Sequence, residues 1–333
     1  MTSTVVMTRA LWAGPGAWRV LARGGTGVVE FALHPGGYAR LGGEWLLLAI
    51  PRAPRGPLTL LVAGLEATPL AAGDDVALEY DFALRGRGVD GGWPPGRADA
   101  DRRVVAKPPV RCLSDHDASR ALTPPARVVA GDTSPPGRGS GRERPGGGVA
   151  DTRHTAAARC GGTATLRAGT LHIDLAGLGR AHSTLVPPPL APGWRGAVTA
   201  ALDAAPSPPD ALTAGLSALR RGDESEAVAE LAGRGEGLTP AGDDVLAGYA
   251  AWCHAQGRET AVVALAAERA APLGLAYLRC ATRGELPEPA AAVLRAIRAG
   301  DVAAARRRAA GLSRWGASSG AAILWGIAAG AFA

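Results

Sequence analysis

Short apolar runs broken by Gly and Pro fill the first 80 residues. The stretches 45–50 (WLLLAI) and 58–65 (LTLLVAGL) have strand length, and the Pro51 to Pro57 link between them suits a hairpin or tight loop. Residues 76–82 (VALEYDF) alternate weakly, as a half-buried strand does. Order of the same kind returns at 163–177 (TATLRAGTLHIDLAG), which predicts two strands about a turn at Ala168 and Gly169. After Gly193 the period lengthens. Helices are expected at 195–204, 210–221, 224–232, 240–256, 259–271, 288–299, 302–312 and 319–332, with Asp210, Asp223 and Asp301 as N-caps. The fold class is therefore α+β. A β-rich region (1–84) is completed by 161–194, and a helical domain occupies 195–333.

Between the two β-rich stretches, 85–160 loses all periodicity. Paired prolines and the run GRGSGRERPGGG punctuate it, and its composition cannot bury enough apolar surface to offset its ordering entropy. A disordered, dispensable insertion is expected. A frame error in a GC-rich gene would leave similar Arg/Gly/Pro text. This segment also accounts for the charge. The chain carries +6 overall, and from Arg85 to Arg159 there are 14 basic and 8 acidic residues, so the remainder is neutral. With Trp93 its only aromatic and no basic helix, the excess predicts a solvated segment and no nucleic-acid partner.

Cys112, Cys160, Cys253 and Cys280 form no CxxC pair and no zinc spacing, which fits free thiols in a reducing compartment. The N-terminal text lacks a continuous apolar core of the signal-peptide kind, so a cytoplasmic location is expected. The uncharged run 315–333 approaches the length of a membrane span. Its glycines, serines and alanines instead predict a buried, closely packed helix and no membrane partner.

The densest chemistry lies in 233–244, GRGEGLTPAGDD. Thr239 before Pro240 reads as an N-cap and N1 pair, which puts Asp243 and Asp244 at N4 and N5. Gly233, Gly235 and Gly237 form the approach. Backbone amides around Gly235, Gly237 and Gly242 at a helix N-terminus suit an anion, with Arg234 as a bidentate partner. Asp243 and Asp244 suit a general base, a partner for an amide nitrogen, or ligands for a divalent cation. A capped helix whose early acids complement its dipole would carry the same residues. The glycine triplet favours function, because its entropic cost has no packing benefit visible in the sequence. The helix that follows reads as amphipathic, with Leu246, Tyr249, Ala250 and Cys253 on one stripe.

The C-terminus echoes this helix. AGDDVLAGYAA (241–251) aligns without gaps on SGAAILWGIAA (319–329), matching Gly242 to Gly320, Leu246 to Leu324 and Gly248 to Gly326, with Ala321 and Ala322 in place of the acidic pair. Two helices packed about a pseudo-twofold would bring Thr239, Ser318 and Ser319 to one pocket. Other motifs fail. GASSG (316–320) matches a nucleophile elbow, but no Asp, Glu or His follows it. No Walker A sequence exists, and the six histidines are scattered.

GEGLTPAGDDVLAG closely resembles the signature GxGLTPSGDDxLxG of a family that includes the AllH subunit of oxamate carbamoyltransferase. ATRGELPEP (281–289), RAGD (298–301) and WGASSGAAILWG (315–326) resemble a second block of that family, whose members carry a GHSSGxD-like element there. Ala317 and Ala322 stand at its polar and acidic positions. The resemblance is specific over 230–333, extends in style to 30–70 and 165–230, and is absent over 85–160. It implies a cytoplasmic complex subunit in purine (allantoin) catabolism. The reaction is carbamoyl transfer between oxalurate and phosphate, giving oxamate and carbamoyl phosphate, and the partner subunits are of the FdrA/AllF and AllG types. On that resemblance Asp243, Asp244 and Thr239 are the catalytic candidates. Gly235, Gly237, Gly242, Arg234, Ser318 and Ser319 are the candidates for binding the small anionic substrate. Loss of the second acidic element leaves a non-catalytic anion-binding or scaffolding subunit as the alternative.

Overall fold

A computed structural model describes residues 5–81, 163–180 and 189–333. The expected insertion at 85–160, with Cys112 and Cys160, lies outside the described residues. In chain order the elements are β1 (Val6–Ala13), α1 (Pro15–Arg23), β2 (Thr26–Leu33), β3 (Gly36–Leu41), β4 (Glu44–Ala49), β5 (Thr59–Val62), β6 (Asp75–Asp81), β7 (Thr163–Ala168), β8 (Leu171–Asp174) and β9 (Gly179–Arg180). The helices that follow are α2 (Trp194–Leu202), α3 (Asp210–Arg221), α4 (Glu224–Leu231), α5 (Ala241–Ala255), α6 (Val262–Ala266), α7 (Pro272–Ala281), α8 (Glu288–Arg298), α9 (Val302–Leu312) and α10 (Ser319–Ala331).

The strands close into a barrel. Around the ring the order is β5, β4, β3, β2, β6, β7, β8, β1, and β1 returns to pair with β5, while β9 extends β1 in parallel at Trp12 and Ala13. Most neighbours are antiparallel; β1 with β8 and β4 with β5 are parallel. β6 and β7 are antiparallel neighbours, with Asp81 opposite Thr163, so the chain departs and returns at adjacent positions. An eight-strand ring has an interior just wide enough for side chains to fill. Here Val29, Leu41, Leu46, Leu48, Leu60 and Ile173 fill it together with small alanines. Helix α1, absent from the sequence expectation, adds Ala17, Val20 and Leu21 to that core.

One barrel wall is buried on both faces. On β4, Leu46 and Leu48 point into the barrel core, while Trp45 joins Leu58, Leu273 and Cys280 in a separate cluster against α7. That is why 45–50 reads as a continuous apolar run and not as an alternation.

The helical half has its own core, centred on α5 and α10. Asp223 and Asp301 cap α4 and α9 as expected, accepting from the amides of Glu226 and Ala304 at 2.9 and 2.8 Å. Asp210 is instead the first residue of α3, with Pro209 at the N-cap. The expected helix at 259–271 shrinks to α6, and a separate helix, α7, begins at Pro272. Pro272 sits in the first turn of α7, where it needs no donor of its own. Helix α5 is not amphipathic. Every residue from Gly242 to Cys253 is buried, so no stripe faces water. Likewise α10 is interior along nearly its whole length. No helix among the described residues is long and apolar enough to cross a membrane.

The internal echo extends further than the sequence alignment. Each copy begins with a helix ending at a left-handed glycine, Gly222 or Gly300, followed by a capping aspartate, Asp223 or Asp301. A short helix ending in leucine comes next, and then the long buried helix. A Cβ on Gly242 would stand 1.9 Å from the Leu231 carbonyl oxygen, and one on Gly320 would stand 1.7 Å from that of Leu312. Only glycine permits these close approaches. The two long helices run side by side in the same direction. Gly248 abuts the backbone of Ile323, and Gly326 abuts that of Val245.

Candidate active site

Thr239 and Pro240 do turn the chain into α5, one residue later than the sequence predicts. Pro240 is the N-cap and Ala241 is N1, so Asp243 and Asp244 stand at N3 and N4. The two neighbours do different things. Asp243 accepts from the amide of Gly233 at 2.7 Å through Oδ1 and from the amide of Ala271 at 2.9 Å through Oδ2. It ties the glycine loop and the start of α7 to α5. Gly274 of α7 lies against it, and any Cβ there would collide with Oδ2. Burial pushes its pKa up, and the two amides hold it partly down.

Asp244 lies on a cavity. It is 6 % exposed, and its Oδ2 has no hydrogen-bond partner. Burial raises its pKa from 3.8 to about 7. The Ser319 and Thr239 hydroxyls oppose that rise, and the nearby Asp243 charge reinforces it. The Thr239 and Ser319 hydroxyl oxygens are 3.3 Å apart, so the starts of both repeated helices meet at this carboxyl.

The cavity measures about 220 Å³. Besides Asp244, Thr239 and Ser319, it is lined by Tyr38 from β3, Tyr277 from α7, and Glu285, with Leu286, Trp315 and Ile323 among its apolar walls. A largely apolar pocket with a few converging polar groups is the usual form of a small-molecule site. The Tyr38 and Tyr277 hydroxyl oxygens are 3.2 Å apart. Burial pushes both phenols up, so both stay neutral and able to donate. Glu285, 4 % exposed, is held by a bidentate pair with Arg19 at 2.5 and 2.6 Å. Tyr38, Tyr277, Glu285 and Arg19 were not singled out by the sequence. Tyr38 and Arg19 come from the β-rich half, which no local pattern links to α5. Glu285 does lie in the quoted GELPEP stretch, and Pro272 was a legible start signal for the helix that delivers Tyr277.

Arg234, Gly235, Gly237, Gly242 and Ser318 do not line this cavity. The Gly242 amide donates to the Arg234 carbonyl at 2.8 Å, and the Arg234 guanidinium lies 3.5 Å from Glu230 on the surface. Ser318 is the N-cap residue of α10, without a side-chain capping bond. The glycine triplet has a structural cause after all. Gly233, Gly235 and Gly237 all have positive φ, and a Cβ on Gly233 would meet the Arg269 carbonyl oxygen at 2.5 Å. Its entropic cost therefore serves the loop's path, which removes that argument for function. Among the described residues no group of three or more His, Cys, Asp or Glu side chains is placed to hold a metal ion. Asp243 has each of its oxygens on a backbone amide.

No curated protein and no solved structure matches the chain significantly. Residues 231–331 match the model of the family described as oxamate carbamoyltransferase subunit AllH. The match runs from the last residue of α4 to the end of α10 and takes in every cavity residue named above except Tyr38. Over that segment, the chain is AllH-like.

Proposed function

We propose that this chain is a subunit of a carbamoyl-transfer enzyme of the oxamate carbamoyltransferase kind, acting with FdrA- and AllG-type partners, and that Asp244 moves the proton in its reaction. The observation that carries this reading is one buried carboxyl on a small-molecule-sized cavity, with a pKa near 7, inside the AllH-like segment. A general acid or base works best when its pKa lies near the operating pH.

In the phosphorolytic direction, a phosphate oxygen forms a bond to the carbamoyl carbon of oxalurate, and the bond from that carbon to the oxamate nitrogen breaks. The departing nitrogen takes up a proton, which protonated Asp244 supplies. In reverse, the oxamate nitrogen attacks the carbamoyl carbon of carbamoyl phosphate, phosphate departs, and ionised Asp244 accepts the nitrogen's proton. Thr239 and Ser319 hold the carboxyl in place. Of the paired Tyr38 and Tyr277 phenols, one donates to the other and the second has its O–H for a substrate carbonyl oxygen.

The test is to reconstitute the complex with its partner subunits and measure phosphate-dependent cleavage of oxalurate. Asp244→Asn is expected to lower turnover by about a hundredfold or more in both directions. With wild type, the phosphorolytic rate should fall above pH 7 and the reverse rate below it, because the two directions need opposite protonation states. Full turnover by the Asn variant would reduce this chain to an anion-binding or scaffolding subunit.

A further inference from the structure

A second cavity, about 350 Å³, opens at the seam between the barrel and α7. Arg19, Arg23, Arg40, Arg279 and Arg283 line it, and Glu44 is the only acid among its lining residues. Two of these arginines are already answered. Arg23 pairs with Glu44 at 2.6 Å, and Arg19 pairs with Glu285. Arg40, Arg279 and Arg283 have no carboxylate partner among the described residues. Arg40, on β3, lies over the Trp45 ring at 4.8 Å, and its buried Nε meets no acceptor. The buried Trp45 indole N–H is also without one. Across the cleft, Arg279 and Arg283 are four residues apart at the end of α7, a spacing at which like charges repel. A helix C-terminus tolerates one cation through its dipole. That does not account for a third arginine held opposite on the barrel.

This wall offers donors in excess of acceptors. Guanidinium and indole groups donate only, so what completes the wall must bring acceptors and negative charge. From this we infer that the seam cleft is a binding site for an oxyanion carrying two or more negative charges, a phosphate group or a dicarboxylate. The site is separate from the Asp244 cavity: the Arg19–Glu285 pair stands between the two, with Arg19 lining one and Glu285 the other. It does not rest on carbamoyl chemistry.

Titration calorimetry on the full chain tests it, with inorganic phosphate, pyrophosphate and oxalate as separate probes. At least one probe should bind the wild type, and which one does assigns the ligand to the phosphate or the carboxylate class. The double variant Arg279→Gln/Arg283→Gln changes only exposed side chains and should weaken that binding tenfold or more. Arg306→Gln/Arg307→Gln, which removes the same charge from the exposed face of α9, should leave it within twofold. Absence of binding by all three probes overturns the inference. So does equal weakening by both arginine pairs, which marks a general charge effect, or unchanged binding in Arg279→Gln/Arg283→Gln, which places the anion elsewhere.

Discussion

The two repeated helix units share a scaffold and differ in chemistry. Both bring a capped short helix into a long buried one through a glycine pressed on a leucine carbonyl, Gly242 on Leu231 and Gly320 on Leu312. Both long helices give up a Cβ where they touch. Only the first carries acids at the start of its long helix; Ala321 and Ala322 occupy those positions in the second. The connecting segments differ too. The first spans 232–240, follows a glycine-rich path and depends on Asp243 to hold its Gly233 end. The second, 313–318, is shorter and has no such acid, although its Gly320 amide donates to the Trp315 carbonyl at 3.0 Å as the Gly242 amide does to that of Arg234. Shared glycines therefore belong to the fold, and Asp243 serves the longer connection. Asp244 is the one acid of the pair left with no structural task.

The largest effect expected from that difference is on the pH dependence of stability. The Asp244 carboxyl sits near pKa 7 in the folded chain and near 3.8 in the unfolded one. Between those values the folded state binds more protons, so stability falls as pH rises through the window. The gap corresponds to about 4 kcal/mol between pH 4 and pH 8. Denaturant unfolding of Asp244→Asn should show most of that slope gone and the variant more stable than wild type at pH 8. An unchanged slope would mean that Asp244 is not the titrating group.

Close packing of the two units comes next. Gly326→Ala puts a Cβ about where the Val245 carbonyl oxygen lies, and Gly248→Ala does the same against Ile323. Each should cost about 3 kcal/mol, the upper end for overpacking a tight core. Thermal melts of both variants within error of wild type would show that the helices do not meet through these glycines.

Asp243→Asn should cost about 2 kcal/mol, because one of two charge-accepting oxygens becomes an amide donor facing the amide of Gly233 or Ala271. The measurable contrast is with Asp244→Asn at pH 5. There the melting temperature should scarcely move, since the native carboxyl is already protonated. Equal losses at pH 5 for the two Asn variants would erase the division of labour between the neighbours.

Local pattern made much of the architecture legible. The strands read at 45–50, 76–82 (described as far as Asp81) and 163–177 and the caps at Asp223 and Asp301 rest on period, turn residues or spacing within a few residues of one another, and the repeat of α5 in α10 rests on a gapless match of two short segments. Where the reading failed, a distant partner decided. The α5 stripe became a helix buried all round because α4, α7 and α10 pack on it. The glycine triplet proved to be a requirement of the loop's path, set in part by the Arg269 carbonyl.

The sequence by itself determined that this chain is α+β, that Thr239, Asp243 and Asp244 cluster at the start of one helix, and that a second helix repeats the first. Tertiary structure alone decided which aspartate is tied to the backbone and which lies on a cavity. Successive residues on a helix point about 100° apart. On a helix with protein on every side, nothing in the local sequence says what lies in either direction. The same holds for Tyr38 and Arg19. They reach the Asp244 cavity and its Glu285 wall only because closure of the barrel and its docking on α7 bring residues from opposite ends of the chain within hydrogen-bond distance.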